Sequence, residues 1–142
     1  MKRLVLALLI VFVVAAGCGD DEGNVFSLEE GQCFDDPQAT GEISDVPIVE
    51  CDEPHDNEVF FTFDLPDGDY PGDIAVQEQA SEGCLGAFEG YVGLDYATSE
   101  LDILFLSPTS DSWDQADDRE VVCFLYRVDQ EKMTGSMQGS GI

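Results

Sequence analysis

Hydrophobic positions in this chain switch period along its length, and each period predicts an element. From Leu4 to Ala16 every residue is apolar. Between Asn57 and Phe63 the pattern alternates, with Val59, Phe61 and Phe63 on one side, the two-residue period of a strand. From Asp73 to Tyr91 it becomes helical. Val76, Ala80, Cys84, Ala87, Phe88 and Tyr91 form one stripe, with Asp73 placed as N-cap. Gly83, Gly86 and Gly90 lower the helix propensity of this segment and allow it to lie close against a sheet. Strands return at Leu101–Leu106 and Arg119–Val128. The second of these is apolar on both faces and is expected inside the sheet.

The intervening stretches are more polar. Ser27-Leu-Glu-Glu30 fits a capping box, with Gly31 ending a helix of about one turn. Gln32–Phe34 reads as a short strand and Val46–Cys51 as extended, since Pro47 restricts its predecessor and Ile48-Val49 are β-branched. Asp35–Glu42 and Asp64–Gly72 are loops by composition. Thr109–Asp118 reads as an acidic loop around Trp113, and Lys132–Ile142 as a loose polar tail. The sum is an α+β fold: a small, mainly antiparallel sheet of four or five strands with one face covered by the helix at 73–91.

Strand faces suggest a disulfide pairing. The odd positions 59/61/63, 101/103/105 and 121/123/125 are apolar, so Cys123 would face the helix while Cys84 lies on its inward stripe. A Cys84–Cys123 bond then crosses the core, leaving Cys33–Cys51 to tie the opening segment. Closing a loop of about 40 residues constrains the unfolded chain by about 4 kcal/mol in the entropy model. No Cys-x-x-Cys spacing exists, so neither a redox motif nor a zinc ribbon is supported.

Leu4–Ala16 is too short to span a bilayer, which takes roughly 20 apolar residues. Behind Lys2 and Arg3, and before small residues, it has the form of a secretory signal. Ala15-Ala16-Gly17-Cys18 resembles a bacterial lipobox, which implies removal of residues 1–17 and lipidation of Cys18. Residues 18–27 then serve as a lipidated, acidic tether, and 28–142 as a single domain with a loose C-terminal tail. The expected location is the outer face of the cell membrane, where two acyl chains give stable anchoring. An oxidising compartment suits the four remaining cysteines as two disulfides.

Charge narrows the partners. After Cys18 only Arg119, Arg127 and Lys132 face all 31 acidic residues, a formal charge of −28. Such a surface repels nucleic acid and anionic headgroups and favours basic or cation-bridged protein partners. Acidity of this degree also keeps a protein soluble in salt.

A further pattern runs through these residues in order. It comprises Gly31-x-Cys33-Phe34, then Val49-x-Cys51-x-x-Pro54-His55-Asp56-x-Glu58-Val59, Cys84 with Phe88 and Tyr91, Pro108…Trp113…Arg119-x-x-x-Cys123, and Thr134-Gly135-Ser136. It resembles the septum formation domain of actinobacterial envelope proteins over about Leu28 to Gly139. The resemblance implies an extracytoplasmic domain associated with division septum formation. One departure is visible: the family pattern has a glycine shortly before the arginine, and Trp113–Arg119 contains none.

Candidate chemistry is sparse. His55 is the sole histidine, flanked by Asp52, Glu53 and Asp56, which would favour its charged form. No nucleophile elbow accompanies it and the cysteines are assigned to disulfides, so no catalytic residue is named. The acid-rich Asp64–Asp73 loop lacks EF-hand order, so no metal site or cofactor is expected. Pro54-His55-Asp56 reads first as a turn leading into the strand, with the imidazole bonded to a carboxylate or backbone group, Trp113 as a packing lid before a core strand, and Arg119 as a partner of neighbouring carboxylates. Beside these readings, His55, Asp56, Trp113 and Arg119 remain as possible partner or ligand contacts. The expected function is a non-enzymatic, lipid-anchored accessory or interaction module in cell division or wall assembly. The alternative is an extracytoplasmic ligand- or cation-binding sensor domain.

Overall fold

The computed structural model describes residues 22–37 and 44–142; the signal stretch and Cys18 lie outside them. Six strands, β1 (Glu22–Asn24), β2 (Cys33–Phe34), β3 (Asp45–Val49), β4 (Asn57–Asp64), β5 (Leu101–Leu106) and β6 (Glu120–Arg127), form one sheet in the order β1-β3-β2-β4-β6-β5. Every pairing is antiparallel. Two helices, α1 (Asp73–Val92) and α2 (Ser110–Ala116), complete the α+β fold. β6 is paired on both sides, as its two apolar faces require.

The strand count exceeds the expected four or five because Glu22–Asn24, read from composition as tether, pairs with β3. Backbone pairing needs no apolar side chains, so an acidic, aperiodic stretch gave no strand signal. The capping box at Ser27 does not form. Instead Asn24 accepts the Phe26 N–H at 2.9 Å and caps a single 3₁₀ turn, Val25–Ser27. α1 begins one residue after Gly72, whose φ of 95° makes it the N-cap; Asp73 accepts from the Tyr70 hydroxyl instead. Thr109–Asp118 is not a loop throughout. Thr109 and Ser112 exchange side chain–backbone bonds at 3.1 and 3.0 Å, a capping box that starts α2.

The main core lies between the sheet and α1. Val76, Ala80, Cys84, Phe88 and Val92 of the helix meet Leu101, Val121, Cys123 and Leu125 of the strands. A smaller cluster on the opposite face packs Val25 and Leu28 over Phe34, Val46, Val59 and Val122. Val59 was expected beneath the helix with Phe61 and Phe63. The β4–β6 register shifts between Val59 and Phe61, so Glu58 opposes Leu125, Val59 opposes Phe124 and Phe61 opposes Cys123. Phe60 is the extra residue of a bulge, and the alternation reverses across it. Val59 therefore turns away from α1 while Glu58 turns toward it.

Both disulfides form as the strand faces suggest: Cys33–Cys51 and Cys84–Cys123, the latter joining α1 to β6 through the core. Gly83 leaves room for a strand side chain, since a Cβ there would lie 2.3 Å from the Phe63 ring. Gly86 and Gly90 face open space, so the expected packing role belongs to Gly83 alone.

Candidate functional site

Of the four candidate contacts, His55 is the most buried, with no exposed surface. Its backbone bridges Met133 in both directions, at 3.0 and 2.8 Å, and its Nδ1 lies 2.8 Å from the Glu53 carbonyl, to which it donates. The flanking carboxylates expected to pair with it do not do so. Asp56 instead accepts from the Asp36 N–H and from Lys132, whose ammonium also meets Asp35. Partial burial alone would lower the Lys132 pKa; the two carboxylates outweigh it and hold it raised. Nε2 of His55 has no hydrogen-bond partner among the described residues.

Glu58, three residues on, is the charged group that sequence reasoning passed over. It is fully buried, turned inward by the β4 bulge. Its Oε1 accepts from the Tyr91 and Ser136 hydroxyls at 2.7 and 2.6 Å, and its Oε2 accepts from the Met137 N–H at 2.7 Å. Three donors offset much of the cost of burying a carboxylate. Burial and the neighbouring carboxylate both raise the Tyr91 pKa. One sequence signal was present: Glu58 sits inside the Pro54–Val59 pattern, between a buried histidine and an apolar run.

This arrangement straps down the C-terminal segment, which is not a loose tail. Gly135 donates to the Cys51 carbonyl, Gly139 to Tyr91 and Gly141 to Val92, at 2.6, 2.7 and 2.9 Å. Ser99 Oγ donates to the Ile142 carbonyl. Backbone groups supply most of these bonds, so a polar, glycine-rich composition was no measure of attachment.

Potential ligand atoms of Cys33, His55 and Glu58 lie within 4.8 Å of one another. Cys33 is bonded to Cys51, so no thiolate completes a metal set there, and the carboxylate is already held by three donors. This centre joins β2, β4, α1 and the C-terminal segment.

Trp113 and Arg119 form a separate unit at the other end of the sheet. Trp113 is buried on α2, donates from Nε1 to the Gly68 carbonyl at 2.9 Å and packs edge-on against Tyr70. The Arg119 guanidinium stacks 3.8 Å above the Trp113 ring, donates to the Trp113 and Asp118 carbonyls, and pairs with Asp117 at 3.0 Å. His55 and Trp113 are thus buried, and the Arg119 guanidinium is engaged with Trp113, Asp118 and Asp117. Asp56 lines an open cleft, with Leu104, Tyr126 and Arg127.

The face of the sheet opposite α1 is less completely covered. Leu104 and Leu106 of β5 oppose Phe124 and Val122 of β6, and Leu104 is half exposed. Beside Leu106 lies a groove of about 540 Å³ between Val25-Phe26, the β5–β6 end and α2. Phe26, 69% exposed, forms one wall. Asp118 and Glu120 stand at the groove, and Asp64 is the direct cross-strand partner of Glu120. Burial first, then Asp64 and Asp118, push the Glu120 carboxyl pKa up. Leu104 and Leu106 were visible in the sequence as even positions of an already apolar strand.

A family model described as Septum formation matches residues 19–140 of the chain. No curated protein and no solved structure matches it.

Proposed function

The chain belongs to the septum formation family, which supports a role related to cell division, and we propose that it acts there as a non-enzymatic accessory module. In this reading it is a lipoprotein, held on the outer face of the cell membrane through acylated Cys18. From there it engages a basic or cation-bridged protein of the envelope. The family match, covering residues 19–140, is the observation that carries the reading.

Three features support the non-enzymatic part. His55 is buried and tied to backbone, the four cysteines of the domain are paired, and the buried carboxylate Glu58 is held by three donors. Each of these groups is engaged in holding the fold together. The formal charge of −28 after Cys18 supports a cationic partner surface.

The test is the distribution of a tagged full-length chain in dividing cells, beside its Cys18→Ala variant. Enrichment at the septum that is lost in the variant is the expected result. An even distribution around the envelope would overturn the septal role. Septal enrichment unchanged in Cys18→Ala would overturn the lipid anchor.

A further inference from the structure

Resting on the interaction-module reading, we infer that the groove beside β5 and β6 docks an extended basic segment of a partner protein. The segment sets an aliphatic side chain between Phe26, Leu106 and Val122 and an arginine or lysine against Glu120.

Shape and exposure supply the first half of this assignment. The groove holds about 540 Å³, enough for one or two side chains, and its apolar walls come from three separate elements. Phe26 and Leu106 expose apolar surface beside the buried Val25, Val59 and Val122. The strip continues along β5 to half-exposed Leu104, in line with an extended ligand. β5 is also the edge of the sheet, and among the described residues its outer backbone groups have no neighbouring strand.

Charge supplies the second half and selects the occupant. Glu120 and Asp64 oppose each other across β4 and β6, with Asp118 close by. Like charges directly opposite in a sheet are destabilising. The adjacent Arg119 does not relieve them, because its guanidinium turns to Trp113, Asp117 and Asp67. Among the described residues, no cation lines the groove. A partner's guanidinium or ammonium there would relieve repulsion already present in the free protein, a gain available only on binding. A second copy of this chain would bring more carboxylates to the same place, and an anionic lipid surface would be repelled.

A dye-labelled acetyl-Leu-Arg-Leu-Arg-Leu-amide peptide, titrated by anisotropy against the full-length chain in zwitterionic micelles, tests this. Binding is expected to weaken about fivefold or more in Leu106→Ser and in Glu120→Gln. It should be unchanged in Glu89→Gln, which removes an equal charge from the solvent side of α1. Glu120→Gln removes repulsion, so its loss of binding is not a loss of fold. Equal weakening by Glu120→Gln and Glu89→Gln would reduce the contact to diffuse charge and overturn the assignment. Equal binding of the peptide with glutamate in place of arginine would overturn it as well. Because the titration needs no septum, the groove and the septal role fail separately.

Discussion

The Tyr91 hydroxyl donates to Oε1 of Glu58 at 2.7 Å, joining the last turn of α1 to a strand 33 residues earlier in the chain. The same carboxylate holds Ser136 and the Met137 amide, so one buried acid fastens helix, sheet and C-terminal segment together. Glu58→Ala orphans three donors at once and is expected to cost about 3 kcal/mol or more. Tyr91→Phe removes one bond and leaves the carboxylate two donors, for a loss of about 1 kcal/mol. Denaturant titration gives the energies. Amide exchange at Met137 should accelerate in both variants, far more in Glu58→Ala; protection there that survives Glu58→Ala would show that the strap holds by other contacts.

Gly83 and its neighbours make a test of opposite signs within one helix. Glycine in a helix interior costs about 1 kcal/mol relative to alanine, so Gly86→Ala and Gly90→Ala, both facing open space, should stabilise by about 0.5–1 kcal/mol. At Gly83 a methyl would fall 2.3 Å from Phe63, whose ring stacks on Phe61. Overpacking should outweigh the propensity gain there, with a net loss of about 1–2 kcal/mol. Thermal melts of the three variants decide it. A stabilised Gly83→Ala would mean that the Phe63 ring yields freely and that the close approach is not a constraint.

What the sequence disclosed and what it hid divide along physical lines. Side-chain periodicity is a long-range signal, and it placed α1, β5 and β6 within a residue or two and brought Cys84 to Cys123. β1 is held by backbone bonds, and the C-terminal strap by backbone bonds, the Glu58 carboxylate and two isolated buried methionines, Met133 and Met137, none of which leaves a periodic trace in Glu22–Asn24 or in a glycine-rich tail. The bulge at Phe60 is a single-residue event inside an alternating run. It moved Val59 out of the helix-facing core and Glu58 into it, so strict alternation missed the buried acid. His55 and Trp113 are buried, as the turn and packing readings of a lone His and a lone Trp imply, while the exposed groove is lined by Phe26 with ordinary aliphatic, hydroxyl and acidic side chains that carried no site signal.

Asp117 takes up, between Trp113 and Arg119, a backbone conformation that glycine adopts more readily. It ends α2 in the left-handed region, at φ 54° and ψ 31°, with its amide donating to the Ser112 carbonyl. That conformation strains most residues by about 1–2 kcal/mol and glycine hardly at all. Asp117→Gly relieves the strain but loses an exposed ion pair to Arg119 and adds freedom to the unfolded chain. A net stabilisation of up to about 1 kcal/mol is expected in chemical denaturation. A loss would show that the Asp117–Arg119 pair contributes more than surface ion pairs usually do.

Glu120 gives a pH dependence with a definite sign. Burial, Asp64 and Asp118 raise its folded pKa above the unfolded 4.5, so the native state binds the proton more tightly than the unfolded chain. Stability then falls as pH rises through that window, and the whole penalty is present once the folded group is ionised. Glu120→Gln removes the penalty, and the relief of the cross-strand pair with Asp64 should add a few tenths of a kcal/mol at pH 7. Below the unfolded pKa both proteins carry an uncharged side chain at this position, and the advantage should vanish. Melting both proteins from pH 7 down to pH 3.5 at constant ionic strength measures the difference. An advantage that persists undiminished at pH 3.5 would place its origin in packing, and the groove would lose the uncompensated charge that its basic partner is inferred to meet.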